Sequence, residues 1–593
     1  MRRITAALAS LAFVFAFAAQ AQEKVLHYAF EVAETTFDPP RISDVYSQIL
    51  NTGMFETPIV YDYLARPARL KPNTAASMPE VSADGRTYTF HIRPGIYFAD
   101  DPAFNGKRRE LVAADYIYSM KRVLDARLRA SQLAEIEPYV VGAEEAAKKS
   151  RETNTFDYDA PIEGLKVVDR YTFQVKIKQP VYVFIYHFAD CRIACAMARE
   201  VVEKYGDDVG SHPVGTGPWK LVFWKRSSKI VFDRNPAFRE ELWDANPPPD
   251  DARGQEIAAR LRGRRVPIID RVEVSIIEET QPRWLAFLNG EMDMIWGVPE
   301  EYANQGMPNN KLAPNLAKHG IAMEQTPSLD ITYTYFNMDD PVWGGYTPDK
   351  VALRRAICLA YKTLDEIAII RKGQAIPADT PYSPGVAGWD PDFHTSAGEY
   401  NVAKAKALLD MFGYVDRDGD GYREQPDGSP LAFPFNSTPT ARDQQLDEMW
   451  KRTLDDIGIR LVVNKAKWPD LLKEARRHRL AIWSLGDAAS EPDADTWLTL
   501  LYGPNSEQNL GNFRLPEYDR LYEEARSMPD SPERTKLYQQ MAKIIVAYAP
   551  WKLGVHRIRT DMWWPQLSGF RRHPITTYNF WKYVDIDPSK VPR

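Results

Sequence analysis

The chain has 593 residues, with 81 acidic and 75 basic side chains and a formal net charge of −6 at pH 7. It is too long for one hydrophobic core, so two or three domains are expected. The mild acidity and the lack of a long like-charge block argue against nucleic acid as a partner, and three cysteines are too few for a disulfide scaffold.

Residues 1–21 read as a cleavable secretory signal. Arg2 and Arg3 precede an uncharged apolar run from Ile4 to Ala19, and Ala19-Gln20-Ala21 has the small-x-small form of a cleavage site. The run is short for a bilayer crossing. The mature chain should therefore begin near Gln22 and be soluble outside the cytoplasm.

Next, "DGRTYTFHI" predicts a half-buried strand leaving an Asp84-Gly85 turn, because Tyr88, Phe90 and Ile92 alternate with polar residues. In "LVAADYIYSMKRVLDARL", Ile117, Met120 and Leu124 define a helix face. Cys191 and Cys195 can pair if "DCRIAC" is a loop, or stand unpaired one helical turn apart. The segment from Glu240 to Pro267, with "NPPPDDARGQ", reads as a surface insertion. "VEVSII" and "IRLVVNK" read as strands.

A long helix is predicted from Pro348, with Thr347 as N-cap and Gly373 as its stop; Leu353, Ile357, Ala360, Leu364 and Ile367 step by three and four. Cys358 inside it reads as a buried small hydrophobe. Ser531 and Pro532 open a second such helix, with Leu537, Met541, Ile544 and Tyr548 on its face and Pro550 beyond it. Strands and helices interleave throughout, so the fold class is α/β.

In "YVDRDGDGYREQPDG", Asp416, Asp418, Asp420 and Gly421 fall at positions 1, 3, 5 and 6 of an EF-hand loop. An EF-hand needs a helix on both sides. Here "NVAKAKALLDMFGY" predicts the first, but "GSPLAFPFNST" reads as a strand, and Asp427 stands where a bidentate glutamate belongs. The loop is expected to be a solvated Asp/Gly turn, with a structural calcium ion on the three aspartates as the alternative. No other cofactor is implied. No Cys/His cluster has zinc spacing, and no "GxSxG" or "HExxH" pattern marks a hydrolase. Asp/Glu pairs are too many for sequence to exclude a glycosidase.

Several separated segments, in order over nearly all of the mature chain, resemble the family 5 extracellular solute-binding proteins, the peptide and nickel receptors of ABC importers. They are "FDPPRISDVYSQILNTGMFETPIVYD", "SADGRTYTFHIRPGIYFAD", "HPVGTGPWKLVFWKRSSKIVFDRNPAF", "PRWLAFLNGEMDMIWGVP" and "YFNMDDPVWGGYTPDKVALRRAICLAYKTLDEI". The sequence departs from the pattern at "KRRELVAAD", at Tyr361-Lys362 and in the insertion near Glu240.

The resemblance implies a two-lobe periplasmic-binding-protein fold with a hinge and an extra subdomain in the N-terminal lobe. The first lobe would comprise 22–63, 165–325 and 511–593, the subdomain 64–164, and the second lobe 326–510. It implies a monomeric, non-enzymatic periplasmic receptor that hands its solute to an inner-membrane ABC permease. A peptide is the first candidate; an oligosaccharide, nickel chelate or haem are alternatives, and a secreted hydrolase is the competing class.

In peptide-binding members, a stretch similar to "WSLGDAASEPDAD" sets an aspartate against the ligand's α-ammonium. Asp487 matches it, with Trp483 available to stack on ligand or fill the core. A cation removed from water needs such an anionic partner. Glu34 and Thr35 lie near where the family pairs a peptide backbone with a strand edge. Trp389, in "SPGVAGWDPDF", stands in a Pro/Gly-rich loop that can line a cleft.

Overall fold

The computed structural model describes residues 22–590 except 490 and 507. The expected signal segment lies outside the described residues. Among the described residues, no helix is long and apolar enough to cross a membrane.

The first lobe is built on a four-stranded sheet. Strand Val25–Phe30 runs parallel to Arg271–Ile276, which pairs antiparallel with Lys229–Arg234, followed by Trp219–Lys225 at the far edge. Leu26, Tyr28, Val272 and Trp581 are buried in its core. A second four-stranded sheet, in the order Glu80–Val81, Thr87–His91, Thr172–Lys176, Leu165–Asp169, carries the helix Ala113–Val123. Phe90 stacks on Phe173 at 4.9 Å, and Phe173 on Tyr116 of that helix at 5.3 Å. This sheet runs past the subdomain edge expected at 164, because its last two strands lie at 165–176.

The second lobe has a five-stranded sheet in the order Arg460–Lys465, Ala432–Ser437, Ile482–Ala488, Asp330–Phe336, Trp551–Leu553. Helices Pro348–Ala360 and Ala441–Asp456 cover one part of it, through Leu353, Trp450 and Phe433. Helices Pro516–Arg526 and Pro532–Tyr548 cover another, through Tyr518, Tyr538, Met541 and Ile545. The division expected at 510 therefore needs correction. The apolar faces of the last two helices bury against second-lobe residues such as Tyr335 and Trp497, so the chain stays in this lobe until Gly554.

Two crossings join the lobes, side by side. One runs from strand Ala322–Pro327 into Asp330–Phe336; the other from Trp551–Leu553 through Gly554 into Val555–Trp563. The amide of Ser328 donates to the Arg557 carbonyl at 2.8 Å. Arg557 in turn donates from its backbone N–H to Asp330 Oδ1 at 2.9 Å and from Nε to Oδ2 at 2.7 Å.

Five further expectations meet the structure. The Asp84-Gly85 turn forms, with Gly85 at φ +69°. Cys191 and Cys195 are joined by a disulfide across one helical turn, Cα atoms 4.4 Å apart. The predicted long helix ends at Ala360: Tyr361 is extended, and the chain resumes as a short turn and one π-helical stretch, Glu366–Ile370. The break places the Tyr361 ring 4.5 Å from Trp450 and lets its hydroxyl donate to buried Glu366 at 2.8 Å. Cys358 is half-buried rather than enclosed. The Glu240–Pro267 segment is not a mere surface insertion. It folds as strand, helix Ala252–Leu261 and returning strand, with Trp243 buried and its Nε1–H donating to the Tyr583 carbonyl at 3.0 Å.

Candidate functional site

Between the lobes lies a cavity of about 1240 Å³. Its walls come from the first-lobe helix Val45–Met54, the segments around 132–139 and 182–192, the crossings at 328–333 and 557–559, and the second-lobe stretch 485–508. A cavity this size exceeds an ordinary small-ligand pocket.

Asp487 lines this cavity from strand Ile482–Ala488, in register with Ile331. The Tyr333 hydroxyl donates to its Oδ2 at 2.5 Å, and the Tyr333 ring is itself fixed by stacking on Trp551 at 3.9 Å. The Asp487 carbonyl accepts from Trp497 Nε1 at 3.1 Å. Burial raises the Asp487 carboxyl above its usual range, while the Tyr333 hydrogen bond and nearby Arg557 pull it back. Oδ1 accepts no hydrogen bond from a described residue.

The other singled-out residues are placed differently. Trp483 is 1% exposed and packs in the second-lobe core. Trp468 covers it at 4.8 Å and is the indole that lines the cavity. Glu34 is buried; its Oε1 accepts from Trp224 Nε1 at 2.6 Å and from the Ser227 amide at 3.3 Å. Thr35 is exposed and is held by Ser47 and Asp44. Trp389 is half-buried in a loop against the second-lobe core. None of these four is among the residues that line the cavity.

The sequence reading did not place Glu135, Asp495, Arg526 or Arg557 at the cavity, although all line it. They come from four separate elements, and no local pattern links them. Between Glu491 and Asp495, Asp493 is fully buried. It accepts from Arg534 Nη1 at 2.7 Å and from the Tyr538 hydroxyl at 2.9 Å, which pins the acidic stretch to helix Pro532–Tyr548. Burial, then the charges of Glu135 and Asp495, push Glu491 up to about 8. Burial and Asp493 raise Asp495 to about 6.

Away from the cavity, Asp416, Asp418, Asp420 and Glu424 bring carboxylate oxygens within 4.8 Å of one another. These carboxylates already accept hydrogen bonds. Asp416 takes the amides of Gly419 and Gly421, and Asp420 takes the amide of Tyr422 and the Arg460 guanidinium at 2.6 Å. Helix Val402–Met411 precedes the loop, and strand Ala432–Ser437 follows it.

Two α/β lobes, a double crossing and a large cavity between them define a two-lobed solute-binding protein. The sequence model for bacterial extracellular solute-binding proteins, family 5, matches residues 69–509, and the chain belongs to that family. It is 26% identical over 595 residues to Di/tripeptide-binding protein 2 of Pseudomonas aeruginosa (strain UCBPP-PA14), covering 96% of each chain. It is 23% identical to Heme-binding protein A of Haemophilus influenzae (strain ATCC 51907 / DSM 11121 / KW20 / Rd), covering 87% of this chain and 84% of that one. Its fold is similar to the periplasmic binding protein DppA from Helicobacter pylori in complex with the peptide STSA, with a TM-score of 0.66 at 21% identity over 95% of this chain and 98% of that one.

Proposed function

We propose that this protein is a periplasmic receptor that captures a peptide between its lobes and delivers it to an inner-membrane ABC permease. It acts as a monomer, without catalysis, nucleic acid or cofactor. The Asp416–Asp420 loop is a turn closed by its own hydrogen bonds. The observation that carries the reading is Asp487, an anionic side chain held by Tyr333 at the cavity wall with one oxygen open to a ligand. A relative that binds di- and tripeptides supports it.

The test is a double cycle of protein charge against ligand charge. Free and N-acetylated forms of one tripeptide are titrated calorimetrically into wild type and Asp487→Asn. The variant should lose about 1.5–3 kcal/mol for the free peptide, the worth of a hydrogen bond to a charged group. That is tenfold or more in affinity. The acetylated peptide should bind wild type weakly and lose little further. Equal binding of both peptides to wild type would remove Asp487 as the ammonium site and favour a neutral solute such as an oligosaccharide.

A further inference from the structure

The charge balance around Glu491 is uneven. Asp493 is matched by Arg534 at 2.7 Å, and Asp190 by Arg192 at 2.6 Å. His187 lies 3.8 Å from Glu135, but burial lowers its affinity for a proton and keeps it neutral. Tyr61, Tyr139 and Tyr522, the phenols nearby, are also held neutral by burial. Arg526 sits over the Tyr522 ring, 5.6 Å from its centroid, and makes no ion pair within 4 Å among the described residues. Arg526 and Arg534 act on Asp495, and Arg192, already paired with Asp190, acts on Glu135 and Glu491. Among the described residues, however, none of these three carboxylates forms an ion pair with an arginine or lysine within 4 Å.

These carboxylates are also underused. Asp495 is 8% exposed, and its buried Oδ1 has no hydrogen-bond partner among the described residues. Its Oδ2 takes only a long bond, 3.4 Å, from Tyr522. Glu491 Oε1 accepts from the Thr496 hydroxyl at 3.1 Å, and its other oxygen accepts from no described residue. A buried acceptor left unpaired is costly unless something else fills the role. All three acids line the cavity. Glu135 comes from the first-lobe side, Glu491 and Asp495 from the second.

We propose that this acidic end of the cavity is a subsite for a cationic side chain of the ligand, of the lysine or arginine type, gripped from both lobes. The proposal rests on the peptide reading and adds a side-chain preference to it. Asp487 takes the main-chain ammonium; Glu491, Asp495 and Glu135 take the second cation. With the subsite empty, Glu491 holds its proton near neutral pH. When the cation enters, the carboxylate becomes the favoured form and the proton leaves to solvent.

The experiment compares Ala-Lys-Ala with Ala-norleucine-Ala by calorimetry, in two buffers of different ionisation enthalpy, on wild type, Glu491→Gln and Asp495→Asn. Wild type should prefer the lysyl peptide by tenfold or more. It should release close to one more proton with the lysyl than with the norleucyl peptide, so the preference should grow as pH rises from about 6 to about 8. The lysyl-to-norleucyl ratio should shrink in both variants, whatever their absolute affinities, and the extra proton should vanish in Glu491→Gln. Equal affinity of wild type for the two peptides, or a ratio and proton count untouched by both substitutions, overturns the subsite while leaving peptide binding in place. Failure of every peptide to bind wild type overturns the peptide reading and the subsite together.

Discussion

Glu491 also sets the free protein's response to pH. Its ordinary value is 4.5, and burial with the charges of Glu135 and Asp495 raises it to about 8. The folded state therefore holds this proton more tightly than the unfolded chain. Stability from that proton is fully present below about pH 4.5 and is lost as pH rises through about 8. Glutamine keeps the shape and stays neutral. The melting temperature of ligand-free Glu491→Gln should match wild type near pH 5 and exceed it increasingly towards pH 8, as read by calorimetric scans. Parallel curves across that range would mean that Glu491 is ionised and solvated in the empty cavity. At this scale only part of the site was legible in the sequence. Asp487 was marked by the stretch around it. Glu135 and Arg526 lie far from it in the chain, and only the tertiary fold sets Glu135 against Glu491 and Arg526 against Asp495. Trp483 shows the reverse: an aromatic beside a binding motif is indistinguishable in sequence from one filling the core until Trp468 is seen covering it.

At the scale of elements, local signals were read well where local chemistry decides. Ser531 and Pro532 open a helix because Ser531 Oγ accepts the Arg534 amide at 3.2 Å and proline costs nothing at a first-turn position. The helix from Pro348 stops early for a reason no periodicity shows. Tyr361 and Glu366 satisfy each other in the interior, and the Leu359 carbonyl is taken by the Asn401 amide at 2.8 Å. The Glu240–Pro267 segment read as a surface insertion because its prolines and charges outnumber its anchors, yet Trp243 and Leu261 are buried. The aspartate loop gives the test at this scale. Its carboxylates are spent on backbone amides and Arg460, and the exit helix of an EF-hand is replaced by a strand. Chelator should leave the thermal midpoint in place. A midpoint that climbs by several degrees with calcium concentration would instead assign a bound ion, since a ligand of the native state stabilises by mass action.

For the whole molecule, the decisive feature is that both connections between lobes pass through one pair of adjacent strands. Each lobe has its own core. The lobes also touch where Tyr61, Ala68 and Ile575 pack on the second-lobe core and Tyr182 lies under Arg534, so their relative placement rests on this narrow junction, on those contacts and on what fills the cavity. The ordered family segments made two lobes legible. The crossing at Gly554 was not, because an amphipathic helix such as Pro532–Tyr548 shows which face is buried but not which lobe it is buried against. Gly554 packs against Thr332 in the other crossing. A Cβ there would lie 2.5 Å from Thr332 Oγ1 and 2.6 Å from its carbonyl oxygen. The hydroxyl can rotate away, but the carbonyl belongs to the backbone, so the two crossings must part. Overpacking of this kind costs about 1–3 kcal/mol. Here it acts where the lobes meet rather than inside either core, so Gly554→Ala should keep its secondary structure by circular dichroism. Its small-angle scattering should differ from wild type in the ligand-free state, because the lobes are set differently. Peptide affinity should fall tenfold or more, since Asp487 on the second lobe and Glu135 on the first no longer meet one ligand together. Scattering and affinity both equal to wild type would show that the junction absorbs the methyl group, and that lobe placement is governed elsewhere.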